Sequence, residues 1–136
     1  MMISTKGRYA LRFLIALSKR GENELSSLSD IANEEEISLK YLEKIAKILV
    51  QNNIIESVRG KDGGYRLKKK KEDIIVSDIL SLTEESLAPV QCLCSEKNSC
   101  TRQANCPTLP MWTELYKRNM EYFSSITVAS LLNREL

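Results

Sequence analysis

Histidine is absent from the 136 residues. A chain without imidazole has no Ser-His-Asp triad or Cys-His dyad of its own, and it lacks the nitrogen ligand that many zinc sites use. Long hydrophobic runs are missing too: no apolar stretch reaches the roughly 18–20 residues that a membrane span needs. The opening Met1-Met2-Ile3-Ser4-Thr5-Lys6-Gly7-Arg8 has no extended apolar core and no small-residue cleavage site. No secretory signal is therefore expected, and the cytoplasm is the expected compartment. There is no C-x-x-C pair and no glycine-rich nucleotide loop opening a helix, so two common enzyme signatures are also missing. These gaps argue against catalysis, a thiol oxidoreductase being the enzyme class weighed.

What is present suits one small globular domain with an appendage. Hydrophobic residues make up 43% and charged residues 28%, ordinary values for a folded chain. The net charge is +2, from 20 basic and 18 acidic residues, but it is unevenly spread. Residues 1–72 carry 15 Lys/Arg against 10 Asp/Glu, and residues 73–136 carry 5 against 8. The densest basic stretch is Arg59–Lys71, with Arg59, Lys61, Arg66 and the run Lys68–Lys71 against the single acid Asp62. Such a cluster attracts a polyanion by releasing condensed counterions, or else it is a solvated loop.

Apolar periodicity predicts a helix over about Thr5–Lys19, carrying Tyr9, Phe13, Leu14 and Leu17 and ending at Gly21. Ser27-Leu28-Ser29-Asp30 reads as a capping box for a short second helix, followed by a polar turn at Glu34–Glu36. Ser38 then caps a third helix whose Leu42, Ile45, Ala46 and Leu49 share one face. Asn52-Asn53 ends it. Ile54–Val58, the turn Gly60–Gly64 and Tyr65–Leu67 follow as a basic hairpin. Helix, helix and hairpin in this order predict a winged helix-turn-helix: mainly α, with a small β-hairpin wing. The third helix would enter the major groove with Ser38, Lys40 and Tyr41 foremost, and the wing would reach phosphates or the minor groove through Arg59, Lys61 and Arg66.

Ser77 is expected to cap a short helix. Pro107 is expected to open a longer one carrying Trp112, Leu115, Tyr116, Met120 and Phe123, and a last short helix follows Thr127. The long helix has little further chain to cover it, which predicts a dimerisation helix and a two-fold dimer on a palindromic site. Packing back onto its own domain is the alternative. The expected organisation is 1–72 winged helix-turn-helix, 73–106 connecting helix and cysteine-rich sensor loop, and 107–136 dimerisation helix and tail.

Three separated motifs resemble a known family. Ser4-Thr5-Lys6-Gly7-Arg8-Tyr9-Ala10-Leu11-Arg12, Tyr41-Leu42-Glu43, and Val58-Arg59-Gly60-Lys61-Asp62-Gly63-Gly64-Tyr65 look like the Rrf-two family of bacterial winged-helix transcription regulators, of the IscR, NsrR and CymR types. The resemblance covers nearly the whole chain. It implies a homodimer with crossing C-terminal helices, binding double-stranded DNA at a palindromic operator, with no membrane partner. It implies that Tyr41 and Glu43 face bases while Lys40 and Lys44 hold phosphates. Arg59, Lys61, Gly63, Gly64 and Tyr65 would lie along the minor groove, and Thr5, Lys6 and Arg8 on the backbone. Glu43 has a plainer alternative, an ion pair with Lys47 one turn on, and Tyr9 reads as core packing.

All four cysteines fall between Cys92 and Cys106, a clustering that in a reducing compartment points to metal or redox chemistry. Cys94, Cys100 and Cys106 are spaced C-x5-C-x5-C, as the resemblance implies for an iron–sulfur cluster, 2Fe–2S or 4Fe–4S. Some relatives use a histidine three residues after the last cysteine, where this chain has Leu109. Others use a partner-subunit carboxylate at a position matched here by Arg8. The fourth ligand therefore stays open between Cys92, a carboxylate such as Glu96 or Glu114, and a small exogenous group. Three other readings stand beside the cluster: a four-cysteine zinc site, a metal-free thiol switch, and inert thiols. The functional expectation is a regulator, a repressor in the first instance, sensing iron–sulfur, redox, nitric oxide or sulfur status. Its alternative is a metal-free regulator of cysteine or sulfur metabolism acting through thiols or a protein partner; a plain protein-interaction module is the remaining class.

Overall fold

The computed structural model describes residues 2–95 and 100–136. Ser4 starts the fold, because its hydroxyl accepts the N–H of Gly7 at 3.1 Å and satisfies a donor that a helix start leaves open. Helix α1 (Thr5–Ser18) follows and buries Ala10, Phe13, Leu14 and Leu17. Ser27 caps α2 (Leu28–Glu35) by accepting from Asp30 N–H. The turn expected at Glu34–Glu36 shrinks to Glu36. Arg20 grips Glu34 at 2.7 Å and Arg12 grips Glu35 at 3.1 Å, so the last turn of α2 is tied to α1 and stays helical. Glu36 adopts φ +53, with Ile37 N–H bonded to Ala32 O and Glu36 N–H to Asn33 O, a Schellman stop.

Helix α3 (Leu39–Gln51) is capped by Ser38, which accepts from Tyr41 N–H, and it buries Leu42, Ile45, Ala46 and Leu49. Asn53 ends it with φ +57. Strands β1 (Ile55–Val58) and β2 (Gly64–Leu67) pair antiparallel, with Glu56 opposite Arg66 and Ser57 opposite Tyr65. Tyr65 and Ser26 also exchange backbone hydrogen bonds of 2.8 and 2.9 Å. Gly64 makes that possible: at φ +150 it lies where a Cβ would stand 2.6 Å from Ser26 O, so any larger residue pushes the hairpin off the domain.

Helix α4 spans Val76–Thr83 and has no side-chain cap, which corrects the expectation for Ser77. Val76 N–H is satisfied by Ile126 O at 2.9 Å, and Ser77 lies inside, its hydroxyl accepting from Ser124 Oγ at 3.0 Å. Two 3-10 turns, Gln91–Leu93 and Gln103–Asn105, punctuate the cysteine loop. Helix α5 (Leu109–Ser124) begins two residues after Pro107; Pro110 occupies its first turn, where a missing N–H costs nothing. Helix α6 (Val128–Asn133) is closed by a capping box between Thr127 and Ser130.

One core joins Phe13, Leu14, Ile31, Leu42, Ile45, Leu49 and Ile55 to Ile74, Ile79 and Val128. An antiparallel bridge pairs Ile75 with Thr127, and α6 packs against α1. A second core holds Val76, Leu80, Leu87 and Ile126, with Ile3, Leu11, Tyr116, Met120 and Phe123 packed on it. Helix α5 buries no residue fully and leaves Met111, Leu115 and Tyr122 exposed by 54%, 39% and 56%. Among the described residues no helix is long and apolar enough to cross a membrane.

Candidate nucleic-acid interface and cysteine loop

Burying one face of α3 forces the other outward. Lys40, Glu43, Lys44 and Lys47 are exposed, and among the described residues none of the four forms an ion pair. The Glu43–Lys47 pairing weighed from sequence is therefore not made, and the Glu43 carboxylate is open to a donor from outside. Ser38 is also exposed, its hydroxyl occupied by Tyr41 N–H. Tyr41 differs from its neighbours. It is half-buried, and its ring meets Tyr9 edge-on at 5.8 Å, while the Arg12 guanidinium lies over the Tyr9 ring, 5.3 Å from its centre. Tyr9 thus packs α1 onto α3, as expected of it.

At the start of α1, Thr5 and Arg8 are exposed and Lys6 is half-buried; Arg8 Nη2 donates to Thr5 Oγ1 at 3.2 Å. Ser4, Lys6 and Tyr41 line one groove that Cys94 also enters. The structure therefore brings the first turns of α1 and α3 together beside the cysteine loop.

The wing divides into tip and base. Arg59 and Lys61 at the tip are exposed and, among the described residues, unpaired. Arg66, expected on phosphate, is instead held across the strands by Glu56 at 2.7 Å, because the register sets these two opposite each other. Tyr65 packs its ring on Phe13, 6.4 Å between centres. Gly63 is needed because a Cβ there would stand 2.0 Å from Val58 O. Gly63, Gly64 and Tyr65 thus have structural duties in the hairpin. Within the head, Arg12, Arg20 and Arg66 are neutralised by partners, whereas Lys40, Lys44, Arg59 and Lys61 offer unpaired charge to solvent. Unpaired surface cations are what counterion-releasing phosphate contacts require.

The cysteine loop is rich in accessible sulfur. Cys94 and Cys100 are exposed, Cys92 and Cys106 partly so, and none is in a disulfide. Cys94 Sγ donates to Val90 O at 3.6 Å and to Gln91 Oε1 at 3.8 Å. Cys106 sits at the foot of α5 with Thr108 Oγ1 3.4 Å away. The Thr108 hydroxyl, then the N–H groups of Thr108 and Leu109, and the charge of Arg102 hold its thiol below the usual cysteine range, as a helix start does for a thiolate. The donor chemistry, thiolates without imidazole, fits an iron–sulfur centre. Among the described residues, however, no three His, Cys, Asp or Glu side chains stand together as a metal site. Glu96, a candidate ligand, lies outside the described residues. Glu114 pairs with Arg118 at 2.7 Å, which lowers its carboxyl pKa chiefly through that hydrogen bond.

Sequence reasoning missed Glu84. Its carboxylate accepts from Ser4 Oγ at 2.6 Å and from Ser4 N–H at 3.2 Å. Nothing local signals this pairing, since the partners are 80 residues apart.

Residues 3–134 match the family model described as "Rrf2: Iron-dependent Transcriptional regulator". Protein rrf2 of Nitratidesulfovibrio vulgaris is 38% identical over 133 residues, 97% of this chain and 87% of that protein. The transcriptional regulator IscR of Klebsiella pneumoniae is 33% identical over 135 residues, 99% of this chain and 82% of that one. The solved structure of CymR (YrzC), the global cysteine regulator of B. subtilis, is similar with a TM-score of 0.80 at 29% identity, over 100% of this chain and 99% of that chain. These relatives are regulators rather than enzymes. With its exposed cationic α3 and wing and a family match over nearly its whole length, the chain belongs to the Rrf2 family of winged-helix transcriptional regulators.

Proposed function

We propose that the protein is a cytoplasmic homodimer that represses transcription from a palindromic operator and is controlled through Cys92–Cys106. The observation that carries this reading is the division of charge in the head: Lys40, Lys44, Arg59 and Lys61 are exposed and unpaired among the described residues, while Arg12, Arg20 and Arg66 are not. Lys40, Lys44, Arg59 and Lys61 hold phosphates, with Thr5, Lys6 and Arg8 at the flank of the site, and Glu43 accepts from a cytosine amine in the major groove. Ser38 fixes the first turn of α3, and Tyr41 sets its distance from α1. Met111, Leu115 and Tyr122 support a second copy of the chain as the cover for α5, since large side chains exposed along one helix favour association.

Cys94, Cys100 and Cys106 hold an iron–sulfur cluster in this reading, with Cys92 the remaining thiol within the loop. The cluster supplies a centre that reacts with oxidants or nitric oxide. The chain's own part is to lower the Cys106 thiol pKa at the foot of α5, chiefly through the Thr108 hydroxyl, and to present Cys94 in the groove beside Lys6 and Tyr41. A second reading, a metal-free thiol switch, is supported by the absence of a gathered ligand set among the described residues and by the depressed Cys106 thiol. Zinc on four cysteines is a third arrangement of the same donors. Anaerobic reconstitution followed by absorption spectroscopy with iron and sulfide quantification decides among these. Thiolate-to-iron bands with matched iron and sulfide support the cluster, and their absence with intact operator binding supports the thiol switch. Failure to shift a duplex from the promoter of its own gene, in every metal and redox state, overturns the regulatory reading itself.

A further inference from the structure

Helix α1 has no acidic residue in its first turn, although Lys6 and Arg8 place two positive charges there, against the helix dipole. The missing negative charge comes from the far side of the fold. Glu84, the residue that ends α4, turns its carboxylate onto Ser4: Oε1 accepts from Ser4 Oγ at 2.6 Å and Oε2 from Ser4 N–H at 3.2 Å. The same Ser4 hydroxyl accepts from Gly7 N–H at 3.1 Å. A relay of two hydrogen bonds therefore runs from the Glu84 carboxylate to the first turn of α1, each bond polarising the next. Gly7 is matched to it, because a Cβ there would stand 2.4 Å from Glu84 Oε1.

Beneath this polar clasp lies an apolar one. Ile3, one residue before the cap, packs on the second core, which also holds Leu87, three residues past Glu84, and against which Tyr116 and Met120 of α5 pack. Between Glu84 and the cysteines the chain is short, and Glu84, Gln91 and Cys94 line the same groove as Lys6 and Tyr41.

We propose that Glu84 is a positioning residue for DNA binding. It holds the α1 start, with Thr5, Lys6 and Arg8, against the segment that leads into the cysteine loop, so that a change at Cys94 is transmitted to those three side chains through residues 84–91. This rests on the reading of Thr5, Lys6 and Arg8 as backbone contacts. Glu84 itself touches no DNA.

The test uses the full-length protein, with Glu84→Gln and Ser4→Ala as variants. Glu84→Gln keeps the shape but removes the charge and one acceptor. The expected result is amide exchange of residues 4–8 about tenfold faster in Glu84→Gln than in the wild type. Affinity for a promoter duplex should fall about fivefold, within the usual range for coupled sites. Alkylating the loop cysteines with iodoacetamide should speed exchange at residues 4–8 in the wild type, with no further increase in Glu84→Gln. Ser4→Ala removes the Gly7 cap as well as the bond to Glu84, so it should speed exchange at least as much, and the double variant should be no worse than Ser4→Ala alone, because both act on one relay. Glu84→Asp, which restores the charge on a shorter arm, should recover part of the protection. If wild-type protein binds the duplex and Glu84→Gln matches it in both exchange and affinity, Glu84 is not a positioning residue. A wild-type protein that binds no duplex removes the underlying DNA reading instead, a distinguishable result.

Discussion

Replacing Arg59 by alanine removes a cation that is exposed and, among the described residues, has no partner within the fold, so its loss should leave stability alone and act only on DNA. The four cations per head assigned to phosphate, Lys40, Lys44, Arg59 and Lys61, would give roughly eight contacts in a dimer. At about 0.9 of logarithmic salt slope per neutralised phosphate, the wild-type slope is about −7. Between 50 and 200 mM salt its affinity should then fall roughly ten-thousand-fold. Arg59→Ala removes two contacts per dimer, which brings the slope to about −5.5 and the loss to roughly two-thousand-fold over the same range. Fluorescence anisotropy of a labelled promoter duplex across a salt series measures this, and the loss should be similar for operator and unrelated DNA. Arg66→Ala is the control. Its partner is Glu56, a half-exposed pair worth only about 0.2–1 kcal/mol of stability, and its salt slope should equal the wild type's. An unchanged slope in Arg59→Ala, or an equal change in Arg66→Ala, refutes the assignment of the wing tip to phosphate.

Glu43→Ala should leave binding to unrelated DNA unchanged while relaxing preference at one base pair, a discrimination of about 1–3 kcal/mol read from competition with point-substituted duplexes. Gly64→Ala forces a Cβ to within 2.6 Å of Ser26 O at φ +150 and should cost at least about 2 kcal/mol, a fall of about 7 °C in melting temperature by calorimetry. Metal-free Cys106, its thiol lowered by the Thr108 hydroxyl and the α5 start, stays thiolate to lower pH than an unfolded cysteine. Its alkylation rate, followed by peptide mass spectrometry, should therefore fall off at lower pH, and Thr108→Val should move the profile back up. Leu115→Glu places a charge on the uncovered face of α5 and should convert dimer to monomer in light scattering.

Much of the head was readable because its signals are local. Ser38 three residues before Tyr41, and Leu42, Ile45, Ala46 and Leu49 on one face, define α3 with no knowledge of the rest of the fold. What escaped depended on distant partners. Ser77 looks like a cap, but Val76 N–H is satisfied by Ile126 O, fifty residues on. Glu34 and Glu35 look like a turn, but Arg12 of α1 and Arg20 just beyond it pair with them and keep them helical. The ion pair of Arg66 with Glu56 is set by the strand register, which places the two opposite each other. Pro107 and Pro110 both suit a helix start, and the structure uses the second. For the cysteine loop, spacing conveyed the donor type; it did not convey that no three donors are gathered among the described residues.

The most direct measurement is a pair of titrations of one promoter duplex, with the anaerobically reconstituted protein and with the same preparation stripped of metal and kept reduced. Control of a DNA-binding dimer through Cys92–Cys106 predicts saturable binding with one dimer per palindrome and affinities that differ between the two forms by about 5- to 150-fold. Equal affinities in both forms, with the four cysteines verifiably changed in state, would contradict it.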